Sequence, residues 1–202
     1  MKNTSYLATI TVLLVLVLDQ ASKFWVKLNM TLTDEIAVAG NWFYINFTEN
    51  NGMAFGIEFA GEYGKLILTL FRIVAVSGIL YFLVRMIRTG SPKGLVISLS
   101  LILAGAFGNI VDSVFYGIWF NDSYHQVATF LPDAGGYSKL FHGKVVDMLY
   151  FPILSGHFPD WMPFWGGDPF LFFRPVFNIA DSSITVGVGM IILFQKKFFA
   201  NA

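Results

Sequence analysis

The chain has 202 residues, 55% of them hydrophobic and only 13% charged, and its thirteen Lys and Arg balance thirteen Asp and Glu. Soluble domains carry about 25% charged residues, so this chain has too little polar surface to face water on all sides, and its zero net charge leaves no electrostatic footprint for nucleic acid. It reads as an α-helical integral membrane protein, a single membrane-embedded domain over residues 1–202, and the absence of Cys excludes disulfides, thiolate metal sites and a Cys nucleophile.

The first apolar run, Tyr6 to about Phe24, approaches the ~20 residues that a helix needs to cross a bilayer. Lys2 ahead of it resembles the flank of a signal peptide. Asp19 and Lys23 follow the apolar core, however, and no small-residue cleavage site precedes them, so the run is read as an uncleaved span. A long connection then runs from about Trp25 to Gly64. Its core, "NWFYINFTENNGMAFGIEF", alternates apolar and polar residues and turns at Asn50-Asn51-Gly52. Asn and Gly tolerate positive φ, so a hairpin is expected there, within a small extracytoplasmic β-sheet on the membrane surface. The second span is Lys65 to Val84 and the third Leu95 to about Phe115. The second long connection, about Tyr116 to Pro175, is rich in Gly, Pro and aromatic residues. Its stretch "FPDWMPFWGGDPFLFF" is too broken to span and reads as an interfacial segment, with Trp161 and Trp165 near the headgroups. The fourth span is Val176 to Phe194, which predicts four transmembrane helices in all.

Charge sets the orientation. Arg85, Arg88 and Lys93 lie between spans two and three, Lys196 and Lys197 in the C-terminal tail, and Lys2 in the N-terminal tail. None of these stretches holds an acid. The positive-inside rule therefore predicts cytoplasmic termini and extracytoplasmic long connections.

The informative polar residues stand at the outer ends of the spans. Asp19 is in span one, Asn109 and Asp112 are near the end of span three, and Asn178 and Asp181 open span four. Each Asn–Asp pair is three residues apart and so shares a helix face. Asp147 lies just outside the membrane in "HGKVVDMLYF". A lone carboxylate at a span end is as often a structural group, a cap or a hydrogen bond between helices, as a functional one. Several acids at one level invite chemistry, because ionisable groups at membrane depth are costly. Two carboxyl groups that share a proton can act as base and acid on water and a peptide bond, with neither Cys nor metal. Spacing alone does not say which two acids pair.

The ordered motifs "DQASK" (Asp19–Lys23), "NNGMAFG" (Asn50–Gly56), "GNIVD" (Gly108–Asp112), "VVDM" (Val145–Met148) and "FNIAD" (Phe177–Asp181) resemble those of the lipoprotein signal peptidase (signal peptidase II) family. That resemblance covers most of the chain and implies a membrane aspartic peptidase without cofactor or metal. It implies Asp147 and Asp181 as catalytic residues. Asp19, Lys23, Asn50, Gly52, Asn109, Asp112 and Asn178 would be their supporting or substrate-binding neighbours. The implied substrates are bacterial prolipoproteins whose lipobox Cys carries diacylglycerol, cut just before that Cys. The implied location is the cytoplasmic (inner) membrane, with the active site near its outer face. The implied partners are these substrates and membrane lipids, and a monomer suffices. The chain departs from the family pattern at Ser113, where many members have Arg; Lys144 and Arg174 are its substitutes by proximity in sequence. The stretch from about Asn121 to Tyr137 resembles an insertion without an assigned role.

Other residues favour plain readings. Arg72, inside span two, is expected to make a structural ion pair with an acid such as Asp19. His125, His142 and His157 match no zinc spacing, and Ser182 and Ser183 lack a nucleophile elbow. Gly105, Gly108, Gly187 and Gly189 are expected at close helix contacts. Two rival functions have sequence-level counterarguments. A proton-coupled transporter calls for acids near the midplane on broken helices, and an assembly protein would use these acids for folding alone.

Overall fold

The computed structural model describes residues 2–51, 61–172 and 175–199. Its helices are α1 (Lys2–Asn29), α2 (Gly61–Arg88), α3 (Lys93–Val111), the short α4 (Gly117–Trp119) and α5 (Ile179–Phe198). A π-helical turn, Asp112–Tyr116, joins α3 to α4, so the third apolar stretch runs unbroken from Lys93 to Trp119. Four stretches of 20 to 28 residues are long and apolar enough to cross a membrane. At 1.5 Å per residue they reach about 30–42 Å, which matches or exceeds a bilayer's apolar thickness. Each expected span lies within one of them except at its fourth start. There Val176–Phe177 form a strand and Asn178 caps the helix.

The third stretch is the centre of the bundle. Of its most apolar window 56% is buried, against at most 22% in the other three. Helices α1, α2 and α5 pack around it and turn Leu13, Val17, Phe71, Val74 and Leu193 outward, where the bilayer is their solvent. Small residues let α5 approach α3 closely. A Cβ on Gly105 would strike the Ala180 carbonyl oxygen, and one on Gly187 would stand 2.6 Å from the Ser98 carbonyl oxygen. Gly189 corrects the expectation from sequence, because a Cβ there meets nothing within 4 Å.

Strands β1 (Glu35–Ala39), β2 (Phe43–Asn50), β3 (Val145–Tyr150) and β6 (Val176–Phe177) form one antiparallel sheet in the order β1-β2-β3-β6. The alternating stretch before Asn50 is thus a strand, flanked by β1 and by the distant β3. The expected hairpin turn reaches Gly52, and residues 52–60 lie outside those described. One face of the sheet buries Phe47, Val146 and Met148 against Val26, Met30, Tyr116 and Phe120, which seats it on the C-terminal end of α1 and the turn after α3. Strands β4 (Leu154–His157) and β5 (Pro169–Phe172) make a separate hairpin. Its connecting segment exposes Trp161, Phe164 and Trp165 by 81%, 94% and 56%, as an interfacial segment requires.

Candidate active site

Lys23 is fully buried on α1. Asp19 lies one turn before it, so both side chains share a face. The Lys23 ammonium donates to Asp19 Oδ2 at 2.9 Å, Asp112 Oδ2 at 2.8 Å and Asn109 Oδ1 at 2.9 Å. An ammonium has three protons, and three acceptors meet them. The carboxylates are further tied down by donors from other elements. Asp19 Oδ1 accepts from the Ala180 amide at 2.9 Å, which locks α1 to the first turn of α5. Asp112 Oδ2 accepts from the Val146 amide at 3.3 Å, which locks the π-helical turn after α3 to β3. Gly108 permits this geometry, since a Cβ there would stand 2.6 Å from Asp19 Oδ2.

Asn178 is the hinge of the second layer. It is the N-cap of α5, and its Oδ1 accepts from the Asp181 amide at 2.8 Å. That bond satisfies one of the orphan donors of a helix start. Asp181 is therefore in the first turn and is not itself the cap. The Asn178 amide donates to Asp147 Oδ1 at 2.7 Å and approaches Asn109 Oδ1 at 3.1 Å and the Val146 carbonyl at 3.3 Å. Asn109 in turn donates to Asp181 Oδ1 at 2.8 Å. Asp147 Oδ2 accepts from the Asn50 amide at the end of β2. Asp147 and Asp181 are thus each held by neutral amide donors, and the Asn109 and Asn178 amides are linked to each other and to Lys23.

The electrostatics of the two carboxylate sets differ. Asp19 and Asp112 both close on a cation. Asp147, 4% exposed on β3, has its carboxyl pushed up to about 7, first by burial and then by the charge of Asp181. The charge of Lys23 and the hydrogen bonds from Asn178 and Asn50 oppose that rise. At neutral pH this group is divided between acid and base forms, as acid–base catalysis requires.

Of the residues singled out in the sequence, the structure gathers Asp19, Lys23, Asn50, Asn109, Asp112, Asp147, Asn178 and Asp181 into this one network. Gly52 lies outside the described residues. Asn178 orients the carboxylate of Asp147 and the backbone of Asp181, while Asn109 orients the carboxylate of Asp181. Ser113 is buried and donates to the Asn109 carbonyl at 2.9 Å, so it adds no charge. Lys144 cannot replace a cation there, because it points to Glu49 at 3.4 Å. Arg174 lies outside the described residues. Arg72 feels the carboxylates of Asp181 and Asp112, whereas Asp19 closes on Lys23. The three His are exposed or half-exposed at a remove from this network. No group of three or more His, Asp or Glu among the described residues is arranged to hold a metal ion.

Gln20 was missed in the sequence. It bridges Asp19 Oδ2 at 3.1 Å and Asp112 Oδ1 at 3.0 Å, and accepts from the Tyr116 hydroxyl at 3.1 Å. Its place beside Asp19 in "DQASK" was the only available signal.

Comparison with known proteins places this arrangement. The family described as signal peptidase (SPase) II matches residues 11–197. A lipoprotein signal peptidase of Porphyromonas gingivalis is 50% identical over 187 residues, covering 92% of this chain and 81% of its own. The lipoprotein signal peptidase of Amoebophilus asiaticus is 43% identical over 188 residues, covering 91% of this chain and 75% of its own. Two solved structures described as bacterial membrane enzymes superpose with TM-scores of 0.61 and 0.60, at 25% and 26% identity. They cover 96% and 93% of this chain and 90% and 91% of theirs.

Proposed function

The chain belongs to the signal peptidase II family of membrane aspartic peptidases, and from that premise we propose that Asp147 and Asp181 are the pair with which it removes the signal peptide from prolipoproteins. The family processes prolipoproteins by cutting just before the lipidated lipobox Cys. The observation that carries the residue assignment is the split among the acids. Asp19 and Asp112 are consumed by Lys23, whereas Asp147 and Asp181 hold amide donors and Asp147 is poised to exchange a proton near neutral pH.

In this reading the ionised member of the pair takes a proton from water as it attacks the scissile carbonyl. The protonated member donates to the carbonyl oxygen, giving a gem-diol; the proton taken from water then passes to the leaving amide nitrogen as the C–N bond breaks, and a gem-diol hydroxyl returns its proton to the other carboxylate. Two carboxyl groups sharing one proton supply both roles, and the apparent pKa values belong to the pair. Asn178 and Asn109 keep the carboxylates oriented. The Lys23 cluster fixes α1, α3, α5 and β3 relative to one another, so that the pair is preorganised. A diacylglyceryl group on the substrate Cys would anchor the scissile bond at the membrane's outer edge and cut down the positional search. Asn50 stands at the β2 end of the site, where the extracytoplasmic side of the substrate would enter.

The cytoplasmic (inner) membrane, cytoplasmic termini, contacts with membrane lipid and a monomeric working unit complete the proposal. The deciding experiment is cleavage of a diacylglyceryl-modified prolipoprotein by the purified protein in detergent, with chelator present. Wild type is expected to cut just before the lipidated Cys. Asp147→Asn and Asp181→Asn, folded to the same degree, are expected to lose cleavage by roughly a thousandfold or more. Retained cleavage in either folded variant overturns the assignment.

A further inference from the structure

A second buried charge cluster lies outside the network just described. Lys27, one turn beyond Lys23 on α1, is fully buried. Its ammonium donates to Glu49 Oε1 and to the Ser123 hydroxyl, both at 2.7 Å. Its remaining side faces three aromatic rings, Tyr137 at 5.2 Å, Phe120 at 5.3 Å and Phe47 at 5.8 Å from ammonium to ring centre. Such rings attract a cation through their negative faces. The second oxygen of Glu49 meets Lys144 at 3.4 Å, and Tyr137 Oη accepts from the Lys144 amide at 2.6 Å. Ser123 and Tyr137 belong to the stretch that the sequence left without a role. That stretch folds back over the end of α1, where the Leu32 amide donates to the Ser123 carbonyl at 2.9 Å, and the Tyr137 amide donates to the Phe120 carbonyl at 2.8 Å.

Glu49 precedes Asn50 on β2, so the two side chains leave opposite faces of the sheet. Glu49 is opposite Val146 and Asn50 opposite Val145, while Thr48 is opposite Asp147. The rear face thus carries Glu49 in its ion pairs, and the front face delivers the Asn50 amide to Asp147. A slip of one residue would exchange the faces and take that amide away. Burying an ion pair is a poor route to stability, and fixing register is its best-attested use.

We propose that Glu49, pinned by Lys27 and Lys144 inside the box closed by residues 121–137, is a positioning residue that holds Asn50 on Asp147 and so tunes the pair's proton affinity. This rests on Asp147 being catalytic. Among the described residues, the groups facing Asp147 are Asp181 from α5, Lys23 from α1, and the amides of Asn50 and Asn178; Glu49 is not among them and acts through Asn50.

The test is the pH dependence of kcat for a diacylglyceryl prolipoprotein with purified Glu49→Gln, Asn50→Ala and the double variant. Loss of the Asn50 hydrogen bond removes a donor that favours the ionised form, so the Asp147-linked limb is expected to move to higher pH in both single variants. Glu49→Gln is expected to lose roughly 10–100-fold in kcat, and the double variant is expected to match Asn50→Ala. A folded Glu49→Gln with wild-type kcat and an unmoved limb overturns the proposal, as does a double variant whose shift is the full sum of the singles. If the charge left on Lys27 prevents folding of Glu49→Gln, Lys27→Met/Glu49→Gln removes both charges and is read by the same criteria. Activity retained by Asp147→Asn would sink the catalytic assignment itself. Activity lost in Asp147→Asn but wild-type in Glu49→Gln would sink this inference alone.

Discussion

At the scale of single residues, the division of labour among four aspartates follows from what each side chain touches. A carboxylate that meets an ammonium at 2.8 or 2.9 Å acts as a strut. A carboxyl group buried against another acid keeps its proton longer. For Asp147, whose folded value is about 7 against 3.8 for a free side chain, linkage gives a definite sign. Between those two values the folded protein holds a proton that the unfolded chain has released. Stability from this group is therefore present at low pH and lost as pH rises toward and through 7. Asp147→Asn cannot ionise, so its thermal unfolding midpoint in detergent should gain on wild type as pH goes from 5 to 8. An equal difference at both pH values would show that Asp147 does not titrate in that window. In the rate profile of wild type the same group should give one limb of a bell near neutral pH, with the second limb set by its partner.

At the scale of elements, the π-helical turn, the close α3–α5 contact and the short β6 place these residues. Gly105→Ala would press a methyl group onto the Ala180 carbonyl oxygen, Ser183 and Ile184. It is expected to cost about 1–3 kcal/mol through overpacking, read as a lower unfolding midpoint. Because α5 carries Asp181, cleavage should fall as well, and an unchanged midpoint would mean that the helices part readily here. The four spans were legible in the sequence because apolar runs near bilayer length have few other uses. The motif residues were legible as a set through resemblance. The sheet was legible only in part. The alternation before Asn50 marks β2, but β3 lies far along the chain and β6 has two residues, too few for any period. The pairing of acids was not legible either, because Lys23 chooses Asp19 and Asp112 through contacts across three elements. Lys27 and Glu49 gave no local signal, since a lysine near a span end ordinarily reaches for water.

At the scale of the whole molecule, the proposed orientation, basic stretches inside and sheet outside, can be measured directly. The chain has no Cys, so single cysteines report without background. Asp133→Cys, in the exposed outer connection, should react with a membrane-impermeant thiol reagent on intact spheroplasts. Ser91→Cys, between α2 and α3, should react only after lysis. The reverse pattern would invert the topology. The assembly also has a consequence in time. Asn178 is at once the cap of the last span, the donor to Asp147 and the neighbour of Asn109. A chain made only as far as β3 carries Asp147 yet lacks both Asp181 and the Asn178 amide that holds Asp147. On the proposed assignment the site is therefore completed last, when the final helix takes its place.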